Sequence, residues 1–215
     1  NTLTTNGVTQ TIGLTVIATV DGRDGVRAAS VSRNVSDLDA VASLVAEAEA
    51  NATGSSVADD AADLITGGTA ADWDQPAVDA PVAALSDLAN WLGDIFGAAR
   101  DAGQGRYGYA EHSITTTYLG SSTGVRLRHA QPSVRVELTG RSADGSRSAW
   151  SGQGAAEIST LDLPALEADV VKRLAWSERQ IALDAGRYET ILPPSAVADL
   201  LVYLYWSAGA LAAYK

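Results

Sequence analysis

The chain contains no cysteine and no methionine, and only two of its 215 residues are histidine. Without cysteine there is no disulfide bond, no thiol nucleophile and no thiolate ligand for a metal. A complete translation product begins with methionine, so the sequence predicts a chain that starts inside a longer gene product or was processed. The two histidines, His112 and His129, have no partner at the spacing of metal ligands.

Positive charge is also scarce, with 15 Lys and Arg against 26 Asp and Glu, a formal net charge of -11 and a pI near 4.5. A surface that follows nucleic-acid phosphates needs clustered basic residues, so the composition argues against a nucleic-acid partner. The longest apolar run, residues 196–205, contains Asp199 and is far shorter than a membrane span. We therefore expect a globular protein without a membrane partner.

The most regular pattern lies in residues 107–152, where β-branched and aromatic residues alternate with polar ones and each run stops at Gly, Ser, Asp or Pro. The runs predict a four-stranded antiparallel meander, because connections this short favour pairing between neighbours. The predicted strands are residues 108–119, 125–129, 134–139 and 147–152, and the turns between them are residues 120–124, 130–132 and 142–145.

The two-residue period of the meander predicts one apolar face and one basic face. Arg126, Arg128 and Arg135 are assigned to the basic face, with Glu137 beside them. One interpretation is a solvated sheet face with cross-strand Arg/Glu pairs. The other is a groove that holds an anionic or peptide ligand, with these three arginines as its binding face.

The flanking segments predict an α+β protein. Before the meander come a β-β-α unit and a long helix that starts at Pro81. After it come a helix from residue 160 or 162 to 181, a strand at 187–192 and a helix from Ala196. We divide the chain into three parts. Residues 1–80 are a partial N-terminal α+β domain with a linker, and a short helix is predicted there at residues 57–65. Residues 81–185 are a helix-meander-helix segment, and residues 186–215 are the start of a truncated C-terminal domain.

Several stretches form a recognisable set: YAEHSITTTYLG at residues 109–120, GVRLRH at 124–129, ELTG at 137–140, SRSAW at 146–150, GRYE at 186–189 and LPPSAVADLL at 192–201. Together they resemble the TldD/PmbA (TldE) metallopeptidase family. The resemblance implies a three-part subunit, of which this chain holds most of the N-terminal domain, the middle segment and the opening of the C-terminal domain. It also implies a dimer in which a TldD-type zinc subunit and a PmbA/TldE-type subunit degrade unfolded or modified peptides.

The zinc helix of the TldD type carries His-Glu-x-x-x-His. Placed on that motif, this chain has Val202 and Tyr203 at the His-Glu pair and Ser207 at the second His. Valine cannot coordinate zinc, whose catalytic sites usually hold three protein ligands and a water. The resemblance therefore implies a PmbA/TldE-like subunit with no cofactor of its own, and zinc in a TldD-like partner.

Tyr205 and Trp206 follow in the same helix, where they form either a subunit interface or part of the core of a C-terminal domain. Our leading hypothesis is a non-catalytic, cytoplasmic subunit that shapes a peptide-holding cavity, with sheet edges of the meander able to add an extended peptide. The alternative is a homodimeric peptide-binding module without a peptidase partner. A third, weaker hypothesis is a peptidase that takes its ligands from a C-terminal part outside this sequence. Whether the chain is itself an enzyme stays open at this point.

Overall fold

The computed structural model describes residues 6–36 and 41–209 and confirms the α+β class. Among the described residues, the strands form two antiparallel sheets, one of two strands and one of three. In order the strands and helices are β1 (Ile12–Gly22), β2 (Gly25–Val35), α1 (Val41–Gly54), α2 (Ser86–Asp101), β3 (Gly105–Gly120), β4 (Arg126–Arg141), β5 (Ser148–Ala155), α3 (Leu163–Trp176) and α4 (Pro194–Ser207). The alternating residues 1–5 (NTLTT) also predict a short strand, which lies outside the described residues.

β1 and β2 form a hairpin whose register runs from Ile12 opposite Val35 to Gly22 opposite Gly25. Gly25 has a φ of 136°, a value that suits glycine, and it closes the predicted turn. α1 packs on this hairpin through Leu44 and Ala48, which are fully buried with Val31 of β2. The predicted β-β-α unit is therefore confirmed.

The meander has three strands, not four, because the predicted second and third strands are one continuous strand, β4. The predicted turn at residues 130–132 is wrong, and Pro132 lies inside β4, opposite Ile114 of β3. β5 pairs with β4 only from Val134 onward, so at Pro132 the strand has a neighbour on one side only. Proline has no backbone N–H, so it is tolerated in a strand where no second neighbouring strand requires that hydrogen bond.

One face of the meander, which we call the core face, is covered by α2 and α3. Leu88 and Ile95 of α2 and Leu166 and Val170 of α3 pack there on Val136 and its buried neighbours in β4. Two glycines allow the helices to approach the strands. A methyl group on Gly108 would lie 2.9 Å from Leu92 of α2, and one on Gly140 would lie 2.7 Å from Val170 of α3.

Residues 65–78 form a segment that we call the strap, which runs along the end of the meander that α2 and α3 leave open. The N–H of Arg126 donates to the carbonyl of Gly68 at 2.9 Å, and the N–H of Ala70 donates back to the carbonyl of Arg126 at 2.7 Å. The helix predicted at residues 57–65 is not formed. Instead Val57 makes an isolated bridge with Arg27 of β2.

The chain divides into two compact units, Asn1–Glu178 and Arg179–Lys215. The described part of the second unit contains α4, which begins with Pro194 and has no buried residue. The strand predicted at residues 187–192 is absent, because no other strand lies among residues 179–209 to pair with it.

Within the described residues, no helix is both long enough and apolar enough to cross a membrane. The helix predicted to reach Ile181 ends at Trp176.

Candidate functional site

The unbroken strand β4 changes the predicted arrangement of the three arginines. Since side chains alternate along a single strand, Arg126 and Arg128 lie on the same face as the buried Val134 and Val136, the core face. Arg135 points to the opposite face. The prediction that the three arginines share one face is wrong. It assumed a turn at Pro132, so that the side chains before and after the turn could be assigned to the two faces independently.

Arg128 binds the strap, and its side chain is only 6% exposed. Its guanidinium lies 3.0 Å from Asp72 and donates to the carbonyl of Pro76 at 2.8 Å. It also lies over the ring of Tyr118, whose hydroxyl donates to the carbonyl of Gln75 at 2.6 Å. The hydrogen bond to Tyr118 and then the contacts with Asp72 raise the pKa of Arg128, so it stays a cation.

Arg126 is held in a similar way beside the strap. Its guanidinium donates to the carbonyls of Ser121 and Val125, both at 2.7 Å, and lies 5.7 Å from the ring centre of Trp73. Trp73 in turn meets Tyr118 edge to face, with ring centres 5.6 Å apart. These contacts occupy both guanidinium groups with residues of the chain itself.

The face that Arg135 shares, which we call the outer face, carries no helix from residues 6–36 and 41–178. Arg135 is 63% exposed and forms an ion pair with Glu137 of the same strand. The indole of Trp150 lies flat along β5, because a methyl group on Gly152 would be 2.8 Å from Cζ2 of that ring. Trp150 is 50% exposed.

Arg135, Glu137 and Trp150 line an open groove of about 390 Å³, together with Gly152 and Gly154. The groove presents an aromatic ring, a pair of opposite charges and the backbone at Gly154. It is suited to a short stretch of polypeptide, which offers apolar side chains and amide groups at similar spacing.

Two further aromatic side chains, Tyr107 and Tyr109 of β3, stand on the outer face and are more than half exposed. The Tyr109 hydroxyl donates to Glu111 at 3.0 Å, and this hydrogen bond, followed by the negative charge of Glu111, raises the pKa of Tyr109. His129 lies on the outer face and contacts Gln131 at 3.2 Å, whereas His112 lies on the core face. The two histidines therefore do not meet.

The zinc-motif positions lie on α4, and their side chains do not form a set of zinc ligands. Val202 has no electron-pair donor, and the Ser207 hydroxyl donates to the carbonyl of Tyr203 at 2.8 Å. Tyr205 is 80% exposed and Trp206 is 76% exposed, so the second unit by itself gives neither of them a core. Across the described residues, no three His, Asp or Glu side chains lie close enough together to hold a metal ion.

Sequence reasoning placed Glu137 beside Arg135 but missed Trp150 and the strap. Trp150 is an aromatic residue on a strand already predicted, and the register of β5 against β4, which brings it near Glu137, was not known from the sequence. Asp72 and Trp73 lie in a stretch with no regular period. No local signal in that stretch links them to arginines more than 50 positions away.

Residues 75–185 match the PmbA/TldA metallopeptidase central domain, which covers α2, the whole meander and α3. No curated protein and no solved structure matches the chain. The matched segment is just over half of the sequence, and it includes most of the stretches on which the resemblance was based. The chain therefore belongs to the PmbA/TldD metallopeptidase family.

Proposed function

We propose that this chain is a PmbA/TldE-like subunit of a TldD/TldE-type zinc metallopeptidase that acts on unfolded or modified peptides in the cytoplasm. The observation that carries the proposal is the chemistry of α4, where Val202, Tyr203 and Ser207 stand at the zinc-motif positions of a chain whose central domain matches the family. Zinc requires imidazole or carboxylate donors at such positions.

In this proposal the zinc belongs to a TldD-like partner, and the chain contributes binding surface. A peptide would lie against the outer face of the meander, in the groove between Trp150 and Arg135. Of the three predicted arginines, only Arg135 has its guanidinium available there, since Arg126 and Arg128 are bound to residues of the chain. Tyr205 and Trp206 are proposed as contacts to the partner, because aromatic side chains are enriched in subunit interfaces.

The test is to measure bound zinc and cleavage of an unfolded peptide for this protein alone, for a histidine-bearing TldD-like relative alone, and for the two together. The proposal expects zinc to be carried by the relative and cleavage to require both proteins. Stoichiometric zinc and cleavage by this protein alone would overturn it.

The alternative function, a homodimeric peptide-binding module, is favoured by one feature, the aromatic groove, which needs no metal to bind a peptide. Both functions predict that Trp150→Ala weakens peptide binding. Trp176→Ala is the matched control, because Trp176 is also exposed but lies on α3. Peptide binding without any cleavage in the mixture would support the alternative over the peptidase subunit.

A further inference from the structure

β5 is the edge strand of the meander and lacks the features that usually protect an edge. Its eight residues, SAWSGQGA, contain no charge and no proline. On the side away from β4, no residue of 6–36 or 41–178 forms a backbone hydrogen bond with it. Sheet edges that stay unpaired are commonly protected by lysine, proline or a bulge, so a neutral edge of this length is available for pairing with another strand.

From these features we propose that β5 pairs with β5 of a second copy of this chain, so that the two meanders form one six-stranded antiparallel sheet. This proposal goes beyond the proposed function and depends on neither zinc nor peptide. Two copies related by a two-fold axis present the same surface to each other, so each feature of β5 must fit its own image.

The alternation of side chains restricts the register of this pairing. A two-fold axis normal to the sheet keeps the outer faces on one side, so outer-face residues must oppose outer-face residues. The two longest registers that meet this condition are centred on Ser151 and on Gly152. The first places Trp150 opposite the second copy's Gly152, and the second places it opposite that copy's Gly154. In both registers the backbone position opposite Trp150 is a glycine of the second copy. Because each indole lies over Gly152 of its own strand, the two indoles would lie next to each other at the axis, as a cross-strand aromatic pair.

α3 fits the same arrangement. It packs over both β4 and β5, since Val170 contacts Gly140 and the Ser151 hydroxyl donates to Asp169 at 2.8 Å. A helix over the midline of two strands would be separated from its symmetry mate by two strand spacings, roughly 9.6 Å. Packed helices lie about 8–10 Å apart, so the two α3 helices would come into contact without a gap or a clash.

The side of α3 that lies over β5 is compatible with its own image. Asp169, Arg173 and Trp176 are spaced four and three residues apart, which places them on one stripe of the helix. Asp169 and Arg173 form an ion pair at 2.7 Å, so each copy brings a neutral pair to the junction despite the acidic chain. Trp176 is 64% exposed in the single chain, and pairing would bring this aromatic side chain to the junction.

The first experiment measures the mass of the 215-residue chain by sedimentation over a range of concentrations. Wild type is expected to form a dimer. Gly154→Lys puts a charge on the edge, and Arg173→Glu puts unpaired acidic groups on the stripe. Each is expected to raise the dimer dissociation constant about tenfold or more. Gly154→Lys places a charged side chain opposite Ser148 or Trp150 of the second copy, and Arg173→Glu makes the two stripes acidic, so that they repel each other across the axis.

Matched controls are Thr117→Lys, on the exposed outer face of β3, and Arg33→Glu, which breaks an exposed Arg–Glu pair on β2. Both should leave the dimer unchanged, and circular dichroism should show that all four variants are folded. A wild-type monomer, or a dimer that neither Gly154→Lys nor Arg173→Glu weakens, would overturn the proposal.

A second experiment uses the absence of cysteine, since any disulfide formed by a single-cysteine variant must join two chains. Ser151→Cys should cross-link under mild oxidation in the register centred on Ser151, and the double variant Ala149→Cys with Ala155→Cys should do so in the register centred on Gly152. Cross-linking by either variant supports the pairing, and failure of both would contradict it. Protection of β5 from hydrogen exchange only when an extended peptide is added would assign the edge to peptide and also overturn the proposal.

Discussion

The core face and the outer face of the meander belong to the same three strands but use charged and small residues differently. On the core face, Arg106 is 3% exposed and pairs with Glu167 at 3.3 Å, and Gly140 makes room for α3. On the outer face, the exposed guanidinium of Arg135 pairs with the partly buried Glu137, and Gly152 lies under the ring of Trp150. The buried core-face residues thus stabilise the fold, whereas the outer-face residues can contact another molecule.

The largest difference is expected between the two ion pairs. Glu167→Ala would leave the guanidinium of Arg106 buried without its partner, and removing one member of a buried pair costs about 3 kcal/mol of unfolding free energy. Arg135→Ala removes an arginine that is 63% exposed and should cost less than about 1 kcal/mol. Urea unfolding of both variants measures the difference, and equal losses would show that burial does not separate the two faces.

The next comparison is between two glycines of the meander. Gly140→Ala would place a methyl group 2.7 Å from Val170 and 3.1 Å from Arg106, which must push α3 outward. Such overpacking costs about 2 kcal/mol. Gly154→Ala, on the outer face, meets no atom closer than 3.7 Å and should change the unfolding free energy by less than about 0.5 kcal/mol. A tolerated Gly140→Ala would mean that α3 can shift at little cost.

The core-face arginine at the other end of the meander should control the strap. Arg128→Ala removes the contacts with Asp72 and Pro76, so we expect chymotrypsin to cleave after Trp73 faster than in wild type. Arg135→Ala, the outer-face control, should leave the cleavage rate unchanged. The rate is read from the appearance of the two fragments on a gel. A strap that resists cleavage in Arg128→Ala would indicate that backbone hydrogen bonds alone hold it.

Acid should act on a core-face contact. The pKa of Asp169 is lowered from its ordinary 3.8, first by the guanidinium of Arg173 and then by the Ser151 hydroxyl. A carboxyl whose pKa is lower in the folded state contributes stability above pH 3.8 that is lost as the pH falls below that value. Asp169→Asn should therefore flatten the fall of Tm with acid, as measured by circular dichroism. An unchanged slope would assign the acid response to other carboxyls.

Alkali should have the smallest effect and should act on the outer face. The pKa of Tyr109 is raised from its ordinary 10.0 by the hydrogen bond to Glu111. The contribution of this bond is present below pH 10.0 and is lost once the pH passes the folded pKa. Glu111→Gln should shift one tyrosine to a lower pKa in an absorbance titration, whereas Glu47→Gln on α1 should shift none.

Some elements were read correctly from the sequence, whereas the helix predicted at residues 57–65 and the strand predicted at 187–192 were wrong. The hairpin of β1 and β2, the central helices and the α+β class follow from local periodicity and turn residues. The turn at Pro132 was predicted wrongly because a proline fits inside a strand only where its missing N–H is not needed by a second neighbouring strand. Whether such a neighbour is present at Pro132 depends on where β5 ends. The same long-range fact decides which face each arginine occupies, so the groove could not be located before the strand was known to be continuous.

The strap also has a consequence for how the chain folds. Arg128 and Asp72 are 56 positions apart, and Arg106 and Glu167 are 61 apart, whereas the strands of the meander are joined by short turns. Contacts between distant positions require a large loss of chain entropy before they form. We therefore expect the meander to assemble first and the strap to dock late, onto a surface that the finished sheet provides. In partial unfolding the same segment should be released early, while the sheet beneath it remains paired.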